Sequence, residues 1–187
     1  MELVVVQSSW RGYRINALKP DYVLDVWPTD DYPRGREALE LSDLWAQIRT
    51  SDIPGVLLVG CDVAADPDDY AAMCTVAGRA PHLVHTGLVK LWPSATKRRE
   101  WMWSHRGGTL GNPVASQDDI IFPTYFSLGF VYVPRQLLDL AFPSRSYWKW
   151  GEMDVGLSEI AISNGIRLHV VYDARPKHVH FRPEHNL

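Results

Sequence analysis

At 187 residues, with 46% hydrophobic and 22% charged residues, the chain can bury a sizeable core and is neither disordered nor fibrous. Its formal net charge of −3 excludes an overall attraction to nucleic acid or anionic membrane and leaves only local basic clusters to bind either. No apolar run approaches the ~20 residues that span a bilayer, and Cys61 and Cys74 lack metal-ligand spacing, so they read as reduced thiols. Met1-Glu2-Leu3 enters a strand with no basic leader, and the expectation is a soluble cytoplasmic protein.

Leu3 to Val6 is an apolar strand, followed by the polar loop Gln7-Ser8-Ser9-Trp10-Arg11-Gly12-Tyr13-Arg14. That loop could approach a phosphate or nucleotide, but it carries neither a dinucleotide fingerprint nor a Walker pattern. Tyr22 to Trp27 is a second strand bearing Asp25, and Arg36 to Arg49 has a helical apolar stripe. The run Val56 to Val59, bounded by Pro54-Gly55 and Gly60, predicts a strand buried on both faces of a parallel sheet. It ends on Asp62, at the place where ligands bind in open α/β sheets. Asp66 is poised equally to cap a helix opening at Pro67 or to join Asp62 in a site.

His82 to Trp92 reads as a fourth strand. The stretch from Ser94 to Arg106 mixes Lys97, Arg98, Arg99, Trp101, Trp103, His105 and Arg106, with glycines following. Such a mix can contact phosphates and stack on bases or on a sugar ring. It reads equally as an amphipathic helix with Trp101 inside, or as a mobile lid. Phe126 to Val133 is the next strand, with a helix after Pro134. Glu152 and Asp154 open a further helix, where acids suit the positive helix end. Asn164-Gly165 closes it, and Arg167 to Tyr172 is a last strand. His178 and His180 share one face of an extended tail. One α/β domain with a mostly parallel central sheet flanked by helices fits throughout.

A carboxylate such as Asp62 with an imidazole from His178 or His180 suits a divalent cation, Mn²⁺ or Mg²⁺, while a second carboxylate deprotonates a hydroxyl. In this order the features resemble a compact glycosyltransferase of the GT-A fold. Gly60-Cys61-Asp62 stands at the D-x-D position, with its last acid retained. Phe126-Ser127-Leu128-Gly129-Phe130 resembles the acceptor-side segment, and Trp150-Gly151-Glu152-Met153-Asp154 resembles the W-G-x-E-D region.

The resemblance implies a Rossmann-like nucleotide-sugar half over about 1–92 and an acceptor and catalytic half over about 93–187. It implies Asp154 as general base with Glu152 beside it, and Asp62 with His178 or His180 as metal ligands. Gln7, Ser8, Arg11, Arg14, Asp25, Cys61 and Asp62 would face the donor; Trp101, Trp103, Arg106, Gly129 and Trp150 would face the acceptor. A hydroxymethylated base in DNA is one acceptor this allows, and such a base would need extrusion from a duplex. The alternatives are a nucleotidyltransferase, a metal-dependent hydrolase, and a non-enzymatic nucleic-acid-binding module built on the Trp-basic segment.

Overall fold

The computed structural model describes residues 1–15, 18–26, 36–87, 89–91, 100–101, 103–104, 120–121, 125–126, 128–142 and 153–179. The chain runs β1 (Val4–Ser9), β2 (Tyr22–Asp25), α1 (Arg36–Ile48), β3 (Gly55–Val59), β4 (Val63–Ala64) and α2 (Pro67–Arg79). It continues through β5 (Val84–Gly87), β6 (Val89–Leu91), β7 (Glu100–Trp101), β8 (Trp103–Ser104), β9 (Ile120–Ile121) and β10 (Tyr125–Phe126). The last elements are β11 (Phe130–Pro134), α3 (Arg135–Ala141), α4 (Met153–Ser163), β12 (Leu168–Val171) and β13 (Lys177–His178).

The main sheet has seven strands in the order β2-β1-β3-β11-β5-β12-β9. All five residues of β3 are buried, and so are all five of β11. Alternation along each strand splits these residues between two cores. Val56, Leu58, Val131 and Val133 face α1, α3 and α4, through Leu41, Trp45, Leu137, Leu138 and Leu157. Leu57, Val59, Phe130 and Tyr132 face α2, through Met73 and Ala77. Helices therefore cover both faces, which is why β3 carries no polar residue.

The sheet is mixed. β1 is parallel to β2 and β3, and β5 is parallel to β12, while β11 and β9 run the other way. One neighbour of β3 is thus antiparallel: its apolar run marked burial on both faces rather than parallel pairing alone.

Three segment readings are corrected. The single strand expected over His82 to Trp92 divides into β5, in the main sheet, and β6, in a second sheet of order β4-β13-β6-β7. The strand expected over Phe126 to Val133 divides into β10 and β11 around a bend at Leu128-Gly129. The amphipathic helix allowed across Trp101 is overturned: β7 pairs with β6 and β8 pairs with β10, both antiparallel. Asp66, left open between cap and ligand, caps α2. Its Oδ1 accepts from the Asp68 and Asp69 amides at 2.9 Å, and Asp69 Oδ2 accepts from the Asp66 amide at 3.0 Å.

A histidine pair sits inside the sheet. His85 on β5 is fully buried and lies opposite His169 on β12, with their Nδ1 atoms 2.8 Å apart. His85 Nε2 is 2.8 Å from the Ala80 carbonyl oxygen, to which it can only donate. His85 Nδ1 therefore accepts, and His169 Nδ1–H donates. Burial foremost, then the nearby His169 and His82, lower the His85 pKa to about 4 from 6.5, against the raising effect of the Ala80 bond. The unfolded chain then binds a proton between these values that the native chain refuses. Stability is full above pH 6.5 and falls as pH drops to 4, by about 3 kcal/mol. Urea titrations across this range are expected to show that loss, and to show it reduced in His85→Leu. An equal loss in the variant would assign it to other groups.

Candidate functional site

The strand order reverses at β1. The chain leaves β1 for β2 on one side, then returns through α1 to β3 on the other. Open α/β sheets bind ligands at such a reversal, beyond the carboxyl ends of the strands. Those ends here are Ser8-Ser9 of β1 and the turn Gly60-Cys61-Asp62 after β3.

β1 extends through Ser9, so Gln7 and Ser8 lie on the strand rather than in the loop expected there. Gln7 is buried and braces that loop. Its Nε2 donates to the Ile15 carbonyl at 2.8 Å, and its Oε1 accepts from Arg14 Nη1 at 3.2 Å. Trp10 and Tyr13 exchange reciprocal backbone bonds of 2.9 Å around Arg11 and Gly12, whose φ values are 51° and 79°. This is the geometry of a tight hairpin turn, with the exposed Arg11 at its tip. The Ile15 amide donates to the Cys61 carbonyl at 3.0 Å, which fastens the loop to the turn after β3. Asp25 forms an ion pair with Arg36 at 3.5 Å.

The turn itself is held from two directions. The Gly60 amide donates to the Gly129 carbonyl at 2.9 Å, which brings the segment before β11 alongside it. On the other flank β13 pairs with β4, opposing His178 to Val63. The Val179 amide donates to the Asp62 carbonyl at 2.7 Å, and His178 Nε2 stands 2.8 Å from Asp62 Oδ2. The carboxylate and imidazole singled out in the sequence meet, although they come from distant parts of the chain.

That separation is a direct hydrogen bond, in which His178 Nε2–H donates to the Asp62 carboxylate. Two ligand atoms about 2.1 Å from one cation, at right angles, stand roughly 3 Å apart. An oxygen and a nitrogen donor suit Mn²⁺ or a similar ion. Among the described residues no group of three or more His, Cys, Asp or Glu side chains is arranged to hold a metal. Asp62 and His178 would supply two positions to such an ion once Nε2 had given up that proton, and a bound phosphate or water would supply others.

Asp154 lies in the first turn of α4, where its Oδ1 accepts from the Val155 amide at 2.8 Å. Ser158 Oγ donates to the Asp154 carbonyl at 2.6 Å and accepts from the Phe126 amide at 3.0 Å. This hydroxyl ties the start of α4 to β10. Glu152, Arg106, Trp150 and His180 lie outside the described residues, and Trp101 and Trp103 are described in their backbone alone.

One residue was missed in the sequence. Glu37, in the first turn of α1, accepts at Oε1 from Ser8 Oγ at 2.7 Å. Burial pushes its pKa up; the Ser8 hydrogen bond opposes this, and the negative charges of Asp154 and Asp62 add to the rise. Asp62 on the β3–β4 turn and Asp154 on α4 are thus near enough to Glu37 on α1 for their charges to act on it. An acid in a first helical turn is so ordinary that nothing in the sequence set Glu37 apart. Cys61 is affected too. Burial foremost, then Asp62 and Glu37, push its thiol up to about 12. With no cation bound it is a neutral thiol near pH 7.

No protein-family model matches the chain, and no curated protein matches it significantly.

Proposed function

We propose that the protein is a metal-dependent glycosyltransferase that moves a sugar from a nucleotide-sugar donor to an acceptor hydroxyl. The observation that carries this reading is the 2.8 Å approach of His178 Nε2 to Asp62 Oδ2 beside the strand-order reversal. What also supports it is the nearness of Asp62 and Asp154 to Glu37, with Gly129 against the Asp62 turn. Asp62 and His178 would hold the cation, which when bound neutralises charge on the donor diphosphate.

In this reading the acceptor hydroxyl passes its proton to Asp154 as its oxygen attacks the anomeric carbon. The bond from that carbon to the diphosphate breaks, and the nucleoside diphosphate leaves with the electron pair. Gln7 keeps the Trp10–Tyr13 turn folded beside the donor. Glycosyl acceptors to test include a hydroxymethylated base in DNA, for which the Trp101 to Arg106 segment is the candidate contact.

The test is a thermal-shift panel of nucleoside diphosphates, each with and without Mn²⁺. A ligand at ~100 times its dissociation constant adds roughly 2.7 kcal/mol, or several degrees for a chain of this size. One diphosphate is expected to give a Mn²⁺-dependent shift that Asp62→Ala abolishes. A shift that survives in Asp62→Ala, or none with any nucleotide, would contradict the proposal.

A further inference from the structure

We propose that Glu37, oriented by Ser8, is the carboxylate that recognises the ribose hydroxyls of the donor nucleotide. This assignment rests on the transferase reading and goes beyond it, because Glu37 belongs to none of the motifs on which that reading stands.

The first argument is steric. A side chain at position 60 would place its Cβ 3.1 Å from Asp62 Oδ1 and 3.2 Å from Val63 Cγ2, tighter than ordinary contact. The Gly129 Cα stands 3.6 Å away on the remaining side. An acid at position 60 would push on the carboxylate that faces His178. The turn after β3 therefore has room for one acid, Asp62. α1 starts at the same rim, because it leaves the carboxyl end of β2, and Glu37 lies in its first turn.

The second argument is chemical. A carboxylate has about four acceptor positions, and a desolvated one needs donors for them. Among the described residues Ser8 Oγ is the donor that Glu37 receives. Asp62 and Asp154 act on Glu37 as like charges. A neutral group with two adjacent O–H donors suits it, and the cis-diol of ribose is such a group. A rim carboxylate accepting from ribose hydroxyls is also the general solution in doubly wound nucleotide-binding sheets. Glu37, in the first turn of α1, turns onto Ser8 at the end of β1.

The experiment titrates UDP, GDP, ADP and CDP, each against its 2′-deoxy form, into the protein at saturating Mn²⁺ by calorimetry. The wild-type protein is expected to prefer the ribose form of its cognate diphosphate by about tenfold or more. Glu37→Gln is expected to weaken binding of the ribose form more than that of the 2′-deoxy form, which keeps its 3′-hydroxyl, and so to remove most of the preference. Ser8→Ala is expected to reduce the preference in part, and it carries the comparison if Glu37→Gln does not fold. A cognate diphosphate whose ribose preference survives in Glu37→Gln, or is absent in the wild type, would overturn the assignment and leave the transferase reading standing. Failure of every diphosphate to bind would overturn both.

Discussion

Asp154→Asn is expected to lower turnover by about 10²–10⁴-fold while changing Mn²⁺-dependent affinity for the nucleoside diphosphate by no more than about twofold. The reasoning separates shape from proton affinity. Asparagine retains the oxygen that accepts from the Val155 amide, so the first turn of α4 keeps its local bond. The Ser158 hydroxyl still joins that turn to β10 through backbone groups alone. What the amide cannot do is take a proton from an acceptor hydroxyl. A large fall in turnover with intact donor binding would therefore mark Asp154 as the base. Unchanged turnover would reduce it to a helix-terminal acid, and parallel losses of binding and turnover would place it in contact with the donor.

Gly55→Ala should be the most damaging small substitution in the sheet. Gly55 opens β3 opposite Pro134 at the end of β11. A Cβ there would lie less than a hydrogen-bond length from the Val133 carbonyl oxygen, and 2.8 Å from the Tyr132 ring and its hydroxyl. Neither neighbour can move freely. Val133 is fully buried in the β3–β11 pairing, and the Tyr132 hydroxyl lies within 2.9 Å of the Pro54 carbonyl and 3.0 Å of that of Pro81. Overpacking that displaces backbone costs about 3 kcal/mol or more, which lowers the melting midpoint by about 6–12 °C for a chain of this size. A midpoint within about 2 °C of wild type would mean that β3 can slide away from β11.

The parts of the fold legible in the sequence are those whose signal is local. The stripe of α1 ends one residue before the expected boundary, and β3 falls where its apolar run falls. Asp66 and Asp69 cap α2 through bonds that span three residues, so spacing alone could suggest them. The second sheet was illegible for the opposite reason. β4, β7 and β13 are two residues each, too short for any periodicity, and they exist because distant strands meet. The alternation read along His82 to Trp92 does not hold in β5, where every residue is buried, and it could not reveal that β5 and β6 belong to different sheets. Nor could it reveal that His85 would be buried against His169, since the pairing partner is set by sheet order.

The site divides along the same line. Asp62 and His178 were chosen by residue type at element ends, and the structure brings them together. Arg11 was grouped with the donor residues by its neighbourhood in the chain, and the structure places it, exposed, at the tip of a two-residue turn. Glu37 escaped because its meaning depends on Ser8, which lies on another element.

The pairing of His178 with Asp62 rests on β13, a strand of two residues. Such a segment opens locally at a free energy well below that of global unfolding. Among the described residues, neither core of the sheet formed by β1, β3, β11, β5 and β12 includes a residue of β13. The architecture and its site therefore have separate stabilities, and protein that melts as a normal cooperative unit could still be held with His178 drawn away from Asp62. Inheritable change in this chain can then raise or lower the fraction of molecules in which His178 meets Asp62 by altering how firmly one short strand adheres, with the melting point left almost where it was.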